Sequence, residues 1–118
     1  MAEYPNDDDM KSIRTAFKLL TAFREISPTM PISLATTFLT VAMNEHSSLT
    51  DLNRHLDLKT STLSRHLLDL GVRNRKMTEG LGLIDCRQDP MELRKNQYTL
   101  TPKGRTLLRK VLKLIEKD

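Results

Sequence analysis

The stretch from Leu49 to Leu67, LTDLNRHLDLKTSTLSRHL, most constrains the fold, because it reads as two short helices joined by a tight turn. Leu52, Leu56 and Leu58 face inward from the first helix and its exit, and Leu63, Leu67 and Leu70 recur at helical spacing in the second. Thr50 is placed to cap the first helix. Asp57 falls in the turn, at a position that favours positive φ, which Asp adopts at some cost. The other side of the second helix carries Lys59, Thr60, Ser61, Thr62, Ser64 and Arg65, all hydrogen-bonding side chains with little apolar area to bury. Such a face suits a major groove, whose base edges offer donors and acceptors between walls of phosphate. Arg65 is the candidate for guanine or phosphate, because its planar fork makes two parallel bonds. A solvated surface is the competing reading of the same face, and the rest of the chain weighs between the two.

The chain has 118 residues, enough for one core and too few for a second. Hydrophobic residues make up 38%, and no run approaches the roughly 20 apolar residues of a membrane span, so no membrane partner is expected. No basic start leads into an apolar stretch, which makes the cytoplasm the expected compartment. The one cysteine, Cys86, has no internal disulfide partner and reads as a small apolar residue in a strand.

The net charge of +4 understates the basic character, because Glu3, Asp7, Asp8 and Asp9 sit in the first ten residues. Without them 19 basic residues face 11 acidic ones. From Lys59 to Asp118 there are 14 Lys and Arg against 7 Asp and Glu, whereas Lys11 to Leu58 holds 5 against 4. The positive field thus belongs to the half that begins at the second helix, the footprint expected of a polyanion partner.

Residues 1–9 read as a flexible acidic arm and 10–118 as a single domain. A helix from about Asp9 to Ile26 gathers Ile13, Ala16, Phe17, Leu20, Phe23 and Ile26 in one stripe, and Ser27-Pro28 ends it. Pro31 opens a second, where Ile32, Ala35, Phe38, Leu39 and Ala42 recur at three and four. Asn44 to Ser48 is a polar break, and Met30, Met43, Phe17, Phe23 and Phe38 are expected in the core. Past Leu70 two readings stay open. Either the helix continues with Arg73, Arg75 and Lys76 on its outer surface, or Gly71 stops it and those cations ride a loop. Leu68 and Val72 lie off the main stripe and read as contacts to a partner chain.

Leu83 to Gln88 and Asn96 to Leu100 form two short strands, with Tyr98 and Leu100 inward and Gln97 and Thr99 outward. The tip between them, Asp89 to Lys95, ends in Arg94 and Lys95, a probe for a minor groove or phosphates. A solvated hairpin in which Arg94 pairs with Asp89 or Glu92 is the alternative. Thr101-Pro102 then caps and opens a last helix. Its Leu107, Leu108, Val111, Leu112, Leu114 and Ile115 make a surface wider than one core stripe, which argues for a dimer presenting two reading helices to a palindrome.

Helix, helix, helix-turn-helix, hairpin and helix is a winged helix-turn-helix layout, mainly α with a small β wing. Within it LKTSTLSRHL resembles the recognition-helix segment of many bacterial and phage regulators. GLGLIDC resembles the Gly-Leu-Ile entry to the wing, and LTPKG the Leu-Thr-x-x-Gly that closes it, in the MarR family. DPMELRK also resembles that family's wing, which would give Asp89 and Arg94 the flanking roles. The resemblance covers about Leu34 to Leu108 and implies a homodimeric regulator of transcription, usually a repressor, joined through its terminal helices. Two departures stand out: an insertion around Gly71 to Gly80 between recognition helix and wing, and a chain that stops after the helix following the wing, where many members carry another dimerisation helix.

Catalysis finds little support. His46, His55 and His66 fall in no metal-ligand or nucleophile motif with Cys86 or the carboxylates, and the four glycines form no phosphate-cradling pattern, so no cofactor or metal is expected. The stronger rival is a winged helix used as a protein-interaction or DNA-replication accessory module. A small-molecule effector is compatible with the layout, but no residue pattern supports one.

Overall fold

A helix start needs partners for its free amides, and Asn6 supplies them ahead of the point where the acidic arm was expected to end. Its side chain accepts from the Asp9 amide at 2.8 Å while the Asp9 carboxylate accepts from the Asn6 amide at 3.0 Å. Helix α1 therefore spans Asp7–Ile26, and its three aspartates stabilise the first turn against the helix dipole rather than extending an arm. The computed structural model describes residues 4–72, 79–92 and 95–116. After α1 come α2 (Ile32–Met43), α3 (Leu49–Leu56), α4 (Thr60–Leu70), β1 (Ile84–Gln88), β2 (Asn96–Leu100) and α5 (Pro102–Ile115).

Phe38, Val41, Leu52, Leu63, Leu70 and Leu83 are fully buried where α2, the α3–α4 pair and the base of the hairpin meet. Phe23 joins α1 to this core, its ring meeting Phe38 edge-on at 5.9 Å between centroids. The expected α1 stripe, however, is mostly outside. Ile13, Phe17 and Leu20 are 52, 65 and 50% exposed, and only Ala22 and Phe23 of that helix are buried. The reason is tertiary: only the C-terminal end of α1 meets the core, and the molecule is drawn out to 60 × 28 × 27 Å. Ile32 and Met43, at the two ends of α2, are likewise exposed rather than core.

In the helix-turn-helix, the cap of α3 is Ser48 and not Thr50, because the helix begins at Leu49 and the Ser48 hydroxyl accepts from the Asp51 amide at 3.3 Å. Asp57 closes α3 in the left-handed region, at φ 51° and ψ 46°. Asn53 locks the turn with both ends of its amide, accepting from the Leu58 amide at 2.9 Å and donating to the Leu58 carbonyl at 2.8 Å. Because an L side chain is strained at that φ, Asp57→Gly is expected to raise unfolding stability by about 0.5–1 kcal/mol in urea titrations. A loss would mean that the turn is not left-handed.

Gly71 ends α4, so the helix stops at the glycine. The amides of Gly80, Leu81, Gly82 and Leu83 donate at 2.8–3.0 Å to the carbonyls of Val72, Asp69, Gly71 and Leu70. The chain thus returns to the point where it left, and the hairpin starts from the end of α4 in spite of the added length. The two strands pair antiparallel, Ile84 opposite Leu100 and Cys86 opposite Tyr98. The polar break after α2 also belongs to the sheet edge: the His46 amide donates to the Tyr98 carbonyl at 2.9 Å and the Tyr98 amide to the Ser47 carbonyl at 3.1 Å. Thr101 caps α5 by accepting from the Gly104 amide at 3.0 Å, and its hydroxyl donates to the Gly82 carbonyl at 2.6 Å.

Candidate nucleic-acid interface

Leu63, Leu67 and Leu70 fix α4 by burying one side, and the roll of the helix then decides what the other side presents. Lys59, Thr60, Ser61 and Arg65 are exposed, while Thr62 and Ser64 are half-buried at the flanks. A 2.9 Å hydrogen bond between Ser33 of α2 and Nε2 of His66 ties the middle of α4 to its neighbour, which holds that roll. At its start α4 has no side-chain cap, since Lys59 occupies the capping position.

Two shallow grooves flank this ridge. On one side Thr62, Arg65, His66 and Asp69 face Pro31 and Leu34 of α2 across about 250 Å³. On the other, Ser64 faces Ser48, Leu49 and Thr50 at the start of α3, and Lys95, Asn96 and Tyr98 of the hairpin, across about 300 Å³. Lys95 therefore stands beside α4 rather than out at a tip. Its ammonium sits 3.0 Å from the Glu92 carboxylate, which raises its pKa, with Asp51 and Asp89 adding to the same effect. The wing turn itself is closed by Asp89, whose amide donates to the Lys95 carbonyl at 2.8 Å and whose carboxylate accepts from the Met91 amide at 2.8 Å. Arg73, Arg75, Lys76 and Arg94, which the sequence also nominated, lie outside the described residues.

Arg54 was not among the residues expected at the interface. It lines a small cleft with Leu49, Thr50, Asn53 and Thr60, which places its guanidinium, 3.6 Å from the Asp51 carboxylate, at the foot of α4. The signal was available: Arg54 is the one Lys or Arg in the first helix of the pair. Other cations of the basic half are engaged elsewhere. Arg105 pairs with Glu45 at 3.0 Å, Lys110 with Glu25 at 2.6 Å and Arg87 with Asp85 at 3.2 Å. Among the described residues no ion pair engages Lys59 or Arg65. The basic half is thus partly neutralised along α5, and the ridge of α4 keeps its charge.

Cys86 lies in β1 as expected but is exposed rather than core. Burial raises its thiol pKa, Asp85 adds to the rise, and the Tyr98 hydroxyl offsets part of it. The shift keeps the sulfur protonated at neutral pH, the wrong direction for a nucleophile. Burial likewise pushes the Tyr98 phenol up to about 12, with Cys86 adding to it. No three His, Cys, Asp or Glu side chains among the described residues gather as metal ligands would, and no helix among them is long and apolar enough to cross a membrane.

A leucine-anchored helix pair, a two-stranded wing rooted at its end and a closing helix define a winged helix protein. Its fold is that of MarR-type regulators. A mutant of S. aureus MepR bound to an oligodeoxyribonucleotide superimposes with a TM-score of 0.69 at 19% identity, covering 97% of this chain and 77% of that one. Wild-type MarR from E. coli gives 0.65 at 14%, covering 100% and 80%. The repressor CouR, bound to a 23-mer duplex, gives 0.63 at 21%, covering 88% and 66%. No family model matches the sequence, and no curated protein does.

Proposed function

We propose that the protein is a sequence-specific regulator of transcription of the MarR type that binds double-stranded DNA as a homodimer and acts as a repressor. The recognition helix α4 enters the major groove with Lys59, Thr60, Ser61, Thr62, Ser64 and Arg65, and the wing, residues 89–95, lies on the minor groove or backbone with Arg94 and Lys95. Arg73, Arg75 and Lys76 follow α4 directly and add phosphate contacts. The observation that carries this reading is the ridge itself: one exposed helix face of hydroxyls and unneutralised cations, held in a fixed roll, on a fold whose solved examples include DNA complexes.

The dimer rests on a second observation. Met10, Ile13, Phe17 and Leu20 follow one another at spacings of three and four along the exposed side of α1, and Leu112 and Ile115 are exposed on α5, which packs against it. A second copy of the chain covers this surface and sets two reading helices on a two-fold palindrome.

Titration of the purified protein against duplexes at low and moderate ionic strength, followed by selection of bound sequences from a random pool, tests the reading. Salt-dependent binding and a palindromic consensus are expected; no association at either salt concentration overturns it. Arg65→Ala is expected to weaken binding to the selected duplex by about 1–3 kcal/mol and to relax preference at one base pair. Unchanged affinity and unchanged preference would remove Arg65 from the interface.

A further inference from the structure

Leu68 has no place in the core and none in a ridge of hydroxyls and cations, yet the helix carries it there. With Leu63, Leu67 and Leu70 defining the buried side, the opposite side at about 100° per residue is occupied by Ser61, Arg65 and Leu68, spaced four and three. Leu68 is 47% exposed and Val72, just past the end of the helix, 62%. Both border a groove of about 430 Å³ between α4 and the hairpin. Two exposed aliphatic side chains are too small an area for a stable protein contact, and their neighbours Ser61, Ser64 and Arg65 match base edges and phosphates. Of the four bases only thymine presents a methyl group in the major groove.

We propose that Leu68, with Val72 beside it, reads thymine 5-methyl groups in the half-site, so that the preferred sequence contains thymine for an apolar contact and not only for a hydrogen bond. The inference rests on the reading that places α4 in the major groove.

Its test replaces each thymine of the selected duplex in turn by deoxyuridine, which removes the methyl and leaves the hydrogen-bonding pattern. For the wild-type chain, uracil at one or two positions in each half-site weakens binding about fourfold per methyl, the loss expected from one methyl left unburied. For Leu68→Ser or Val72→Ser, whose exposure leaves the fold intact by circular dichroism, thymine and uracil bind equally at the corresponding position, and the salt dependence is unchanged. Sequence-selective binding with uracil tolerated throughout overturns the methyl contact while leaving the duplex reading in place. A uracil penalty that survives both substitutions assigns the contact to another side chain and also overturns it. Failure to bind any duplex overturns both.

Discussion

Phe17→Asp is expected to convert the proposed homodimer to a monomer and to lower its affinity for a palindromic duplex by about 10²–10⁴-fold, while leaving the affinity for an isolated half-site unchanged. Phe17 is the most exposed side chain of the α1 stripe and is no part of the buried core, so the monomer is expected to keep its fold. In the proposed dimer the same position is covered, and an aspartate there would be a charge taken out of water without a partner. Two linked reading helices would make the second half-site encounter intramolecular, and a monomer would lose that gain without losing a single base contact. Sedimentation equilibrium and parallel titrations of full and half sites provide the measurement. A variant that still sediments as a dimer would place the interface elsewhere on the molecule.

Gly104→Ala destabilises the protein by about 3 kcal/mol or more, the upper end of the cost of overpacking, and lowers the melting temperature by about 10 °C or more. The sign is what makes the substitution informative. In a helix, replacing glycine by alanine ordinarily gains up to about 1 kcal/mol. Here an added Cβ would stand 2.1 Å from the Leu83 carbonyl oxygen and 3.4 Å from the Phe38 ring. The first turn of α5 is pressed against the strand entry at that point, held by Thr101, whose amide also donates to the Leu83 carbonyl at 3.0 Å. The carbonyl belongs to backbone tied to the Thr101 amide, and the phenylalanine is fully buried, so moving either is costly. Thermal unfolding followed by circular dichroism reads the effect, and a neutral or stabilised variant would show that α5 does not pack on Leu83.

Several elements are legible in the amino-acid sequence. The spacing of Leu52, Leu63, Leu67 and Leu70 gave the helix pair and its buried side, and the alternation at Tyr98 and Leu100 gave the second strand. Thr101-Pro102 marked the start of α5, and Asp57 the left-handed turn. These are local matters, settled by periodicity and by the few side chains that tolerate a cap or a positive φ. The candidate interface was legible in the same measure for Lys59 to Arg65, since a helix with one buried side must expose the other.

What periodicity could not supply was the identity of the surface that each apolar stripe meets. Ile13, Phe17 and Leu20 have the spacing of core residues and lie outside, because a helix of 20 residues reaches beyond the body it packs on. The fate of the residues after Gly71 depended on amides of Gly80 to Leu83 finding carbonyls at the end of α4, a pairing across a gap in sequence. The position of Lys95 beside Ser64, the bond from Ser33 to His66 and the approach of Arg54 to Thr60 join residues distant in the chain or separated by a turn. The sequence by itself determined which segments coil, which extend and which side of each is oily, because those follow from neighbours within a turn or two. Tertiary structure alone decided which oily surface is covered by this chain and which stays exposed, because burial depends on the whole set of elements brought together.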